Sequence, residues 1–189
     1  KDKIFTHCHS STAINVIDNY AKNFNSSVKV ACSETRPLYQ GRKTAKYLVE
    51  KGIDTTLIVD NSAEYFILDM ASFPIDVVFV GTDQITLDGC MINKIGSFGV
   101  CLASYIDKDP VYVVGSLLKT DVESSRNNFK IEMRDEKEIW DTAPDNLKIV
   151  NPAFELVDGR LITGFITEEG IIKPHEIEKV LKEKYTWLF

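Results

Sequence analysis

Short runs of β-branched and aromatic residues alternate with helical stretches through the first 115 residues of the chain. The apolar runs predict strands over residues 4–7, 28–32, 55–59, 76–81 and 111–115. Between them, amphipathic periodicity predicts helices over residues 12–24, 41–51, 63–70 and 94–107. Strands that alternate with helices of about a dozen residues are typical of βαβ units and a parallel sheet.

The last three of these predicted strands are almost continuously hydrophobic, as expected when helices cover both faces of a sheet. Beyond residue 115 the pattern loosens. Residues 127–133 form at best a short strand, residues 161–166 form a further one, and Pro174 opens a final helix through Lys184. We therefore predict one α/β domain over residues 1–189, Rossmann-like and doubly wound around a mostly parallel sheet.

Composition narrows the classes of protein that fit this fold. The 189 residues are 44% hydrophobic and 26% charged, which is ordinary for a soluble globular domain. A net charge of −6 argues against a protein that coats nucleic acid, and no apolar run is long enough to cross a bilayer. We therefore predict neither a nucleic-acid nor a membrane partner.

The cysteines and the first residues carry two further expectations. Four cysteines without a C-x-x-C pair are typical of free thiols in a reducing compartment, which predicts a cytoplasmic protein. The sequence has no initiator Met and enters a predicted strand at once. We therefore expect the numbered chain to lack its natural beginning.

Polar and ionisable residues follow each of the five predicted strands. Ligands of open α/β sheets bind beyond the carboxyl ends of the strands, so these residues mark a candidate site. They comprise residues 7–11, 33–42, 60–62 and 82–84, the pair Asn93 and Lys94 at a predicted helix start, and Ser116 with Lys119. The sequence has no dinucleotide-binding glycine motif, no P-loop and no nucleophile elbow. This set favours acid–base chemistry on a phosphorylated small molecule, without a cofactor.

Two of these residues are candidates for catalysis. Cys8 lies where the first strand gives way to the first helix, and a helix N-terminus lowers the pKa of a nearby thiol. The alternative is a buried structural thiol. Asp83 follows a very hydrophobic strand, where desolvation raises the pKa of a carboxyl group toward that of a general acid. The alternative is a helix or turn cap, and position alone leaves both alternatives open.

The histidines beside Cys8 raise the question of a metal. His7 and His9 flank the thiol, but alternation along a strand places them on the opposite face. No second cluster with zinc-like spacing accompanies them. We therefore expect no metal site.

Basic residues near the strand ends are candidates for phosphate binding. Arg36, Arg42 and Lys43 can form a cradle with the next helix, although Arg42 and especially Lys43 can equally be solvated first-turn residues. Asn93 and Lys94 can hydrogen-bond a sugar phosphate, or they can be a helix cap and a solvent-facing lysine.

Four runs of residues, in this order and spacing, resemble one superfamily. They are Thr6-His7-Cys8-His9-Ser10-Ser11, Glu34-Thr35-Arg36-Pro37 followed by Gln40-Gly41, Gly81-x-Asp83-x-Ile85, and Asn93-Lys94-Ile95-Gly96. The superfamily joins the regulatory subunits of translation initiation factor 2B, methylthioribose-1-phosphate isomerases and archaeal ribose-1,5-bisphosphate isomerases. The resemblance covers nearly the whole chain. His9-Ser10-Ser11 and residues 40–45 are most similar to the ribose-1,5-bisphosphate enzymes, whereas Thr82 departs from the usual Ala.

The resemblance implies a reaction and a role for each candidate residue. Cys8 and Asp83 match the catalytic residues of enzymes that convert ribose 1,5-bisphosphate to ribulose 1,5-bisphosphate, here in nucleotide salvage. The implied substrate-binding residues are Ser10, Arg36, Gln40, Asn93, Lys94 and Lys119. No cofactor or metal is implied. The alternatives are a non-catalytic regulatory subunit and a methylthioribose-1-phosphate isomerase.

The resemblance also implies an assembly. Family members carry a helical N-terminal domain before the α/β domain, and they form dimers or hexamers through the α/β domain. We therefore expect a homo-oligomer of a chain that lacks the N-terminal helical domain.

Overall fold

The computed structural model describes residues 2–71 and 73–189, which form two β-sheets with helices packed against them. The strands, in chain order, are β1 (Lys3–Thr6), β2 (Lys29–Ser33), β3 (Asp54–Ile58), β4 (Val77–Gly81), β5 (Gln84–Thr86), β6 (Met91–Lys94), β7 (Val111–Val114), β8 (Thr120–Asp121), β9 (Phe154–Val157), β10 (Gly164–Thr167) and β11 (Gly170–Ile172). The α-helices are α1 (Ser11–Asn23), α2 (Gln40–Glu50), α3 (Ala63–Ile67), α4 (Ser97–Asp107) and α5 (Ile177–Lys184).

The larger sheet has seven strands in the order β11–β10–β7–β4–β1–β2–β3. All neighbouring strands in it are parallel except β10 and β11. The chain runs outward from β1 to β3 and then returns to the other side of β1 as β4. This reversal is the doubly wound arrangement that the sequence predicted.

Helices cover both faces of the larger sheet because neighbouring residues of its strands point to opposite sides. On one face, Ile4 of β1 packs in a core with Ile17 of α1 and Leu48 of α2. On the other face, Phe5 belongs to a larger core that includes Val100 of α4 and residues of α3 and α5. Burial on both faces accounts for the nearly continuous apolar runs of the central strands.

A second sheet of four short strands, in the order β8–β5–β6–β9, was not predicted. The expectation that Asn93 and Lys94 open a helix is wrong, since both residues lie in β6. All four residues of β6 are buried, so the strand shows none of the polar–apolar alternation that identifies a half-exposed strand. The helix begins at Ser97, after Gly96.

Other differences concern the ends of elements. The helix predicted over residues 63–70 ends at Ile67, and residues 127–133 contribute two isolated bridges, Asn128 with Ser125 and Met133 with Pro152, but no strand. Ser10 caps α1, because its hydroxyl oxygen accepts a hydrogen bond from the Ala13 N–H. In the described part of the chain, none of the helices has the length and apolar character needed to cross a bilayer.

Candidate active site

A cavity of about 670 Å³ opens beyond the carboxyl ends of β1 and β4, where the strand order reverses. Every residue predicted as catalytic or substrate-binding except Arg36 lines it: Cys8, Ser10, Gln40, Asp83, Asn93, Lys94 and Lys119. Two residues that were not predicted to belong to the site, Arg134 and Phe154, also line it. The cavity therefore brings together groups that follow β1, β2, β4 and β7 and groups at the end of β6, whereas residues 60–62 after β3 do not line it.

The backbone of Cys8 has an unusual conformation, with φ of +67°. Its N–H donates to Thr35 Oγ1 at 3.1 Å, and its carbonyl oxygen accepts from Thr44 Oγ1 at 2.7 Å. Non-glycine residues seldom adopt this left-handed region, and those that do often lie at functional sites. Because β1 ends before His7, strand alternation does not extend to Cys8. His7, Cys8 and His9 line the same cavity, contrary to the argument that placed them on opposite faces.

The electrostatic prediction for Cys8 is wrong in direction. Burial raises the pKa of the Cys8 thiol, and the nearby carboxylates of Asp83 and Asp60 raise it further, whereas the His9 N–H and Lys94 lower it. The N-terminus of α1 does not reverse this effect, because α1 begins three residues later and Ser10 already caps it. The free site therefore holds Cys8 as a neutral thiol at pH 7.

Asp83 fits its predicted role more closely. Burial raises the pKa of its carboxyl group, and Lys119 and Lys94 lower it in part. With the residues that the structure describes, the carboxylate makes no hydrogen bond or ion pair, so it is not a turn cap. The group faces the open cavity, where solvent and ligand can reach it.

Two lysines bring positive charge to the cavity beside Asp83. Lys94 is 7% exposed, lies over the Phe154 ring at 4.7 Å, and has no carboxylate partner within the described residues. The pairing of β6 with β9 sets Phe154 opposite Lys94 and Glu155 opposite Asn93. Lys119 donates to the Thr82 carbonyl oxygen at 2.6 Å. A buried ammonium group without an anion is prepared for a negatively charged ligand.

Glu155 explains why the N-terminus of α4 does not add to this positive charge. Its carboxylate accepts the N–H groups of Gly96 at 2.6 Å and Phe98 at 2.8 Å. Burial raises the pKa of Glu155, and these backbone hydrogen bonds lower it in part. The helix terminus is therefore already occupied by an anion from the protein itself.

Three polar residues offer hydrogen bonds around the same cavity. Gln40 lines the cavity, and its buried Oε1 atom has no hydrogen-bond partner among the described residues. Asn93 donates to Ser97 Oγ at 2.9 Å, which leaves its carbonyl oxygen available. The Ser10 Oγ and Thr12 Oγ1 atoms are hydrogen-bonded at 2.9 Å. Ser10 also lies against Gly81, and a side chain in place of Gly81 would collide with Ser10.

The predicted phosphate cradle does not form around the arginines. The Arg36 guanidinium donates to the Tyr39 hydroxyl at 2.6 Å and to the Ile139 carbonyl at 3.1 Å, away from the cavity. Arg42 pairs with Glu34 at 2.8 Å and stacks on the Tyr39 ring. Lys43 is exposed, as expected for a first-turn residue, but it also lies at the edge of the cavity. Arg134 lines the cavity while pairing with Glu138 at 2.6 Å.

The histidines and Thr82 have structural partners. His7 bridges Ser33 Oγ at 2.5 Å and the Ile95 carbonyl oxygen at 2.8 Å. Because a carbonyl only accepts, Nε2 carries the proton, and burial lowers the pKa so that the ring is neutral. His9 pairs with Thr44 at 3.0 Å. In the described ranges, no three His, Cys, Asp or Glu residues are placed to hold a metal ion. The Thr82 hydroxyl donates to the Gln84 carbonyl at 2.7 Å.

A cleft of about 750 Å³ lies near the opposite ends of the strands, beside Pro110 and Thr163. Its two arginines, Arg126 and Arg160, both pair with Asp158 at 3.0 and 2.9 Å. None of the predicted site residues lines this cleft. The chemistry that the sequence predicted is therefore confined to the smaller cavity.

Comparison with known proteins bears on this geometry. The model of the "Initiation factor 2 subunit family" matches residues 1–174 of the chain. The chain belongs to this family. A ribose 1,5-bisphosphate isomerase of Methanocaldococcus jannaschii is 37% identical over 99% of the chain, which spans 60% of that protein. A methylthioribose-1-phosphate isomerase of Heliobacterium modesticaldum is 37% identical over 93% of the chain, which spans 54% of that protein.

Solved structures of the initiation factor 2 subunit family share the fold. The delta subunit of translation initiation factor eIF-2B from A. fulgidus superposes with a TM-score of 0.86 at 32% identity, covering 96% of this chain and 57% of its own. The 5-methylthioribose 1-phosphate isomerase of Pyrococcus horikoshii gives 0.85 at 27% identity, covering 99% and 55%. The chain thus spans little more than half the length of the relatives it matches.

Proposed function

We propose that this protein is an aldose–ketose isomerase that converts ribose 1,5-bisphosphate to ribulose 1,5-bisphosphate. The observation that carries the proposal is the meeting of Cys8 and Asp83 in one cavity with the unpaired Lys94. The names of several relatives, which call them isomerases of sugar 1-phosphates, support it.

The chemistry begins at the ring of the sugar. An aldose 1-phosphate carries phosphate on its anomeric oxygen and cannot open to a free aldehyde. Asp83, whose raised pKa favours the acid form, donates a proton to the ring oxygen, and the bond between that oxygen and C1 breaks. One hydrogen then moves from C2 to C1 with the assistance of Cys8, and the C2 hydroxyl loses its proton as the ketone forms. One proton is gained and one is lost, so the reaction balances without an oxidant.

The charges of the cavity favour a doubly phosphorylated substrate. Lys94 and Lys119 face the cavity beside Asp83, and Lys43 and Arg134 also line it. Charge-assisted hydrogen bonds to phosphate are worth about 1.5–3 kcal/mol each. Gln40, Ser10 and Asn93 supply hydrogen bonds for the sugar hydroxyls.

Two alternatives have specific support. Leu38 and Phe154 give the cavity an apolar part that suits the methylthio group of methylthioribose 1-phosphate, the substrate named for other relatives. Two solved relatives bear the name of translation initiation factor eIF-2B, which suits a non-catalytic subunit. The two catalytic candidates argue for the enzyme over that subunit.

The test measures turnover of both sugar phosphates by the purified protein and by Cys8→Ser and Asp83→Asn. Each variant alters a proton-transfer group with little change in volume, and we expect a loss of at least about 10²-fold in kcat. Asp54→Asn, in an exposed ion pair at the other end of β3, serves as the control. Wild-type turnover by either variant would remove that residue from the mechanism. Binding of a sugar phosphate without turnover would favour the non-catalytic subunit.

The setting of the reaction is also a proposal. We propose that residues 1–189 act as one domain of a cytoplasmic homo-oligomer that serves nucleotide salvage. All four cysteines are free, which suits a reducing compartment. One side of α4 exposes Phe98, Leu102, Tyr105 and Ile106 at helical spacing, which suits contact with a second copy.

A further inference from the structure

The peptide of Cys8 is held on both sides by threonine hydroxyls. Thr35 Oγ1 accepts its N–H at 3.1 Å, and Thr44 Oγ1 donates to its carbonyl oxygen at 2.7 Å. Both threonines are 0% exposed. The left-handed backbone of Cys8 sets the direction of its Cα–Cβ bond, so a group that fixes this conformation also restricts where Sγ can lie.

Thr35 is itself in a conformation that its side chain disfavours. Its φ is +62°, and a β-branched residue in this region is a genuine outlier. The carboxylate of Asp60 holds it there. Oδ1 accepts the Thr35 N–H at 2.7 Å and Oδ2 accepts the Arg36 N–H at 2.6 Å. Two short charge-assisted hydrogen bonds to successive N–H groups fix the backbone from which the Thr35 side chain extends toward Cys8.

These contacts form a continuous chain across three strand ends. Asp60 follows β3, Thr35 follows β2, and Cys8 follows β1, and these strands are neighbours in the sheet. Asp60 lines no part of the cavity of about 670 Å³, and neither does Thr35. They therefore act on Cys8 only through hydrogen bonds and charge.

We propose that Thr35 and Asp60 are positioning residues that hold the Cys8 thiol in its working place. The proposal rests on the isomerase function assigned above to Cys8. If the thiol must meet C1 and C2 of the sugar, a displacement of about 1 Å is enough to cost about 10²-fold in rate. Substrate affinity is set by other residues, so the loss appears in kcat and leaves KM nearly unchanged.

The experiment compares two substitutions at one position. Thr35→Val removes the hydroxyl and keeps the branched shape, whereas Thr35→Ser keeps the hydroxyl. Thr55→Val is the matched control, because it removes a threonine hydroxyl of β3 whose partner among the described residues is the carbonyl of Ile53, just before that strand. Asp60→Asn gives a second way to loosen the chain if Thr35→Val does not fold. Thermal unfolding and circular dichroism establish that each variant is folded.

We expect Thr35→Val to lower kcat at least tenfold with KM within threefold of wild type, while Thr35→Ser and Thr55→Val stay within threefold. Asp60→Asn should lower kcat in the same way, even though removing its charge lowers the pKa of the Cys8 thiol. A folded Thr35→Val or Asp60→Asn protein with wild-type kcat would overturn the proposal. So would an equal loss in Thr35→Val and Thr35→Ser.

A second readout separates this proposal from the proposed function. The rate of Cys8 alkylation by iodoacetamide, followed from pH 7 to 10 by mass spectrometry, needs no turnover. If the wild-type protein turns over neither sugar phosphate, the isomerase function fails. A shift of at least threefold in the Cys8 alkylation rate in Thr35→Val, absent in Thr35→Ser, would still support the positioning of the thiol. Identical rates in all variants would overturn it.

Discussion

Replacing Gly96 with Ala tests how firmly His7, the neighbour of Cys8, is held. Gly96 has φ of +103°, and a Cβ atom there would lie 2.9 Å from Cε1 and 3.0 Å from Nε2 of the His7 ring. The ring has little room to move, because its nitrogens are hydrogen-bonded to Ser33 and to the Ile95 carbonyl. The substitution therefore combines an unfavourable backbone conformation with an overpacked contact.

A matched control separates these two effects. Gly170 has a similar φ of +97°, and no atom of the described residues lies within 4 Å of the position that its Cβ atom would take. A left-handed backbone costs a residue with a Cβ atom about 1–2 kcal/mol, which is the full loss of stability expected for Gly170→Ala. Overpacking adds about 1–3 kcal/mol. Gly96→Ala should therefore lower the free energy of unfolding by about 2–5 kcal/mol.

Urea unfolding at constant pH, followed by circular dichroism, measures both losses. The m-value should stay constant, so that a change in midpoint reports stability alone. Gly96→Ala should also lower turnover, because a shifted His7 ring displaces the segment that carries Cys8. Equal losses of stability in the two variants would refute the argument that His7 is confined.

Three further predictions follow from charge and burial. Iodoacetamide should label Cys8 before the other three cysteines, because those three are buried. The rate of Cys8 labelling should still rise above about pH 8.5, because burial raises the pKa of this thiol. A rate that reaches its plateau below that pH would contradict this prediction. Burial raises the pKa of Asp109, and Asp107 and Asp76 nearby raise it further, to about 6. Between about pH 4 and about pH 6 the folded state therefore holds a proton that the unfolded state releases. The free energy of unfolding falls as the pH rises through this range. Asp109→Asn should remove this loss of stability. The free energy of unfolding of the variant in urea, minus that of wild type, should therefore be greater at pH 7 than at pH 4. An equal difference at the two pH values would contradict the prediction. Lys94→Met keeps the apolar stem over Phe154 but removes the charge, and calorimetric titration with ribose 1,5-bisphosphate should show binding weakened at least tenfold; unchanged affinity would show that other cations hold the phosphates.

The sequence predicted the parts of the fold whose side chains are sorted by a strong periodic pattern. The five strands from β1 to β4 and β7 were found within a residue or two, because burial on both faces leaves long apolar runs. The second sheet was missed because β5 has three residues and β8 has two, which is too few to show an alternating hydrophobic pattern. The strand position of Asn93 and Lys94 was missed because all four residues of β6 are buried and show no polar–apolar alternation.

The sequence predicted most of the residues that line the cavity, but it predicted their pKa shifts and hydrogen-bond partners less well. The rule that ligands bind at the carboxyl ends of strands found Cys8 and Asp83 from sequence alone. Arg36 was assigned to the site because it follows β2 within a motif of the family, and that motif does not show its distant partner, the carbonyl of Ile139. The direction of the Cys8 pKa depends on burial by residues far along the chain, which no local rule supplies. Arg134 gave no signal in the sequence.

The pairing of β6 with β9 determines where the sequence of this protein can accept an insertion. Phe154 supports Lys94 from β9, and the next residue, Glu155, caps α4. A shift of one residue in this pairing would exchange the sides of the strand and remove both contacts at once. The long segment of residues 122–153 that precedes β9 lies mostly at the surface. Its length can therefore vary while β9 keeps its pairing register with β6. An insertion of a single residue within β9 should therefore damage the site more than several residues inserted into the segment before it.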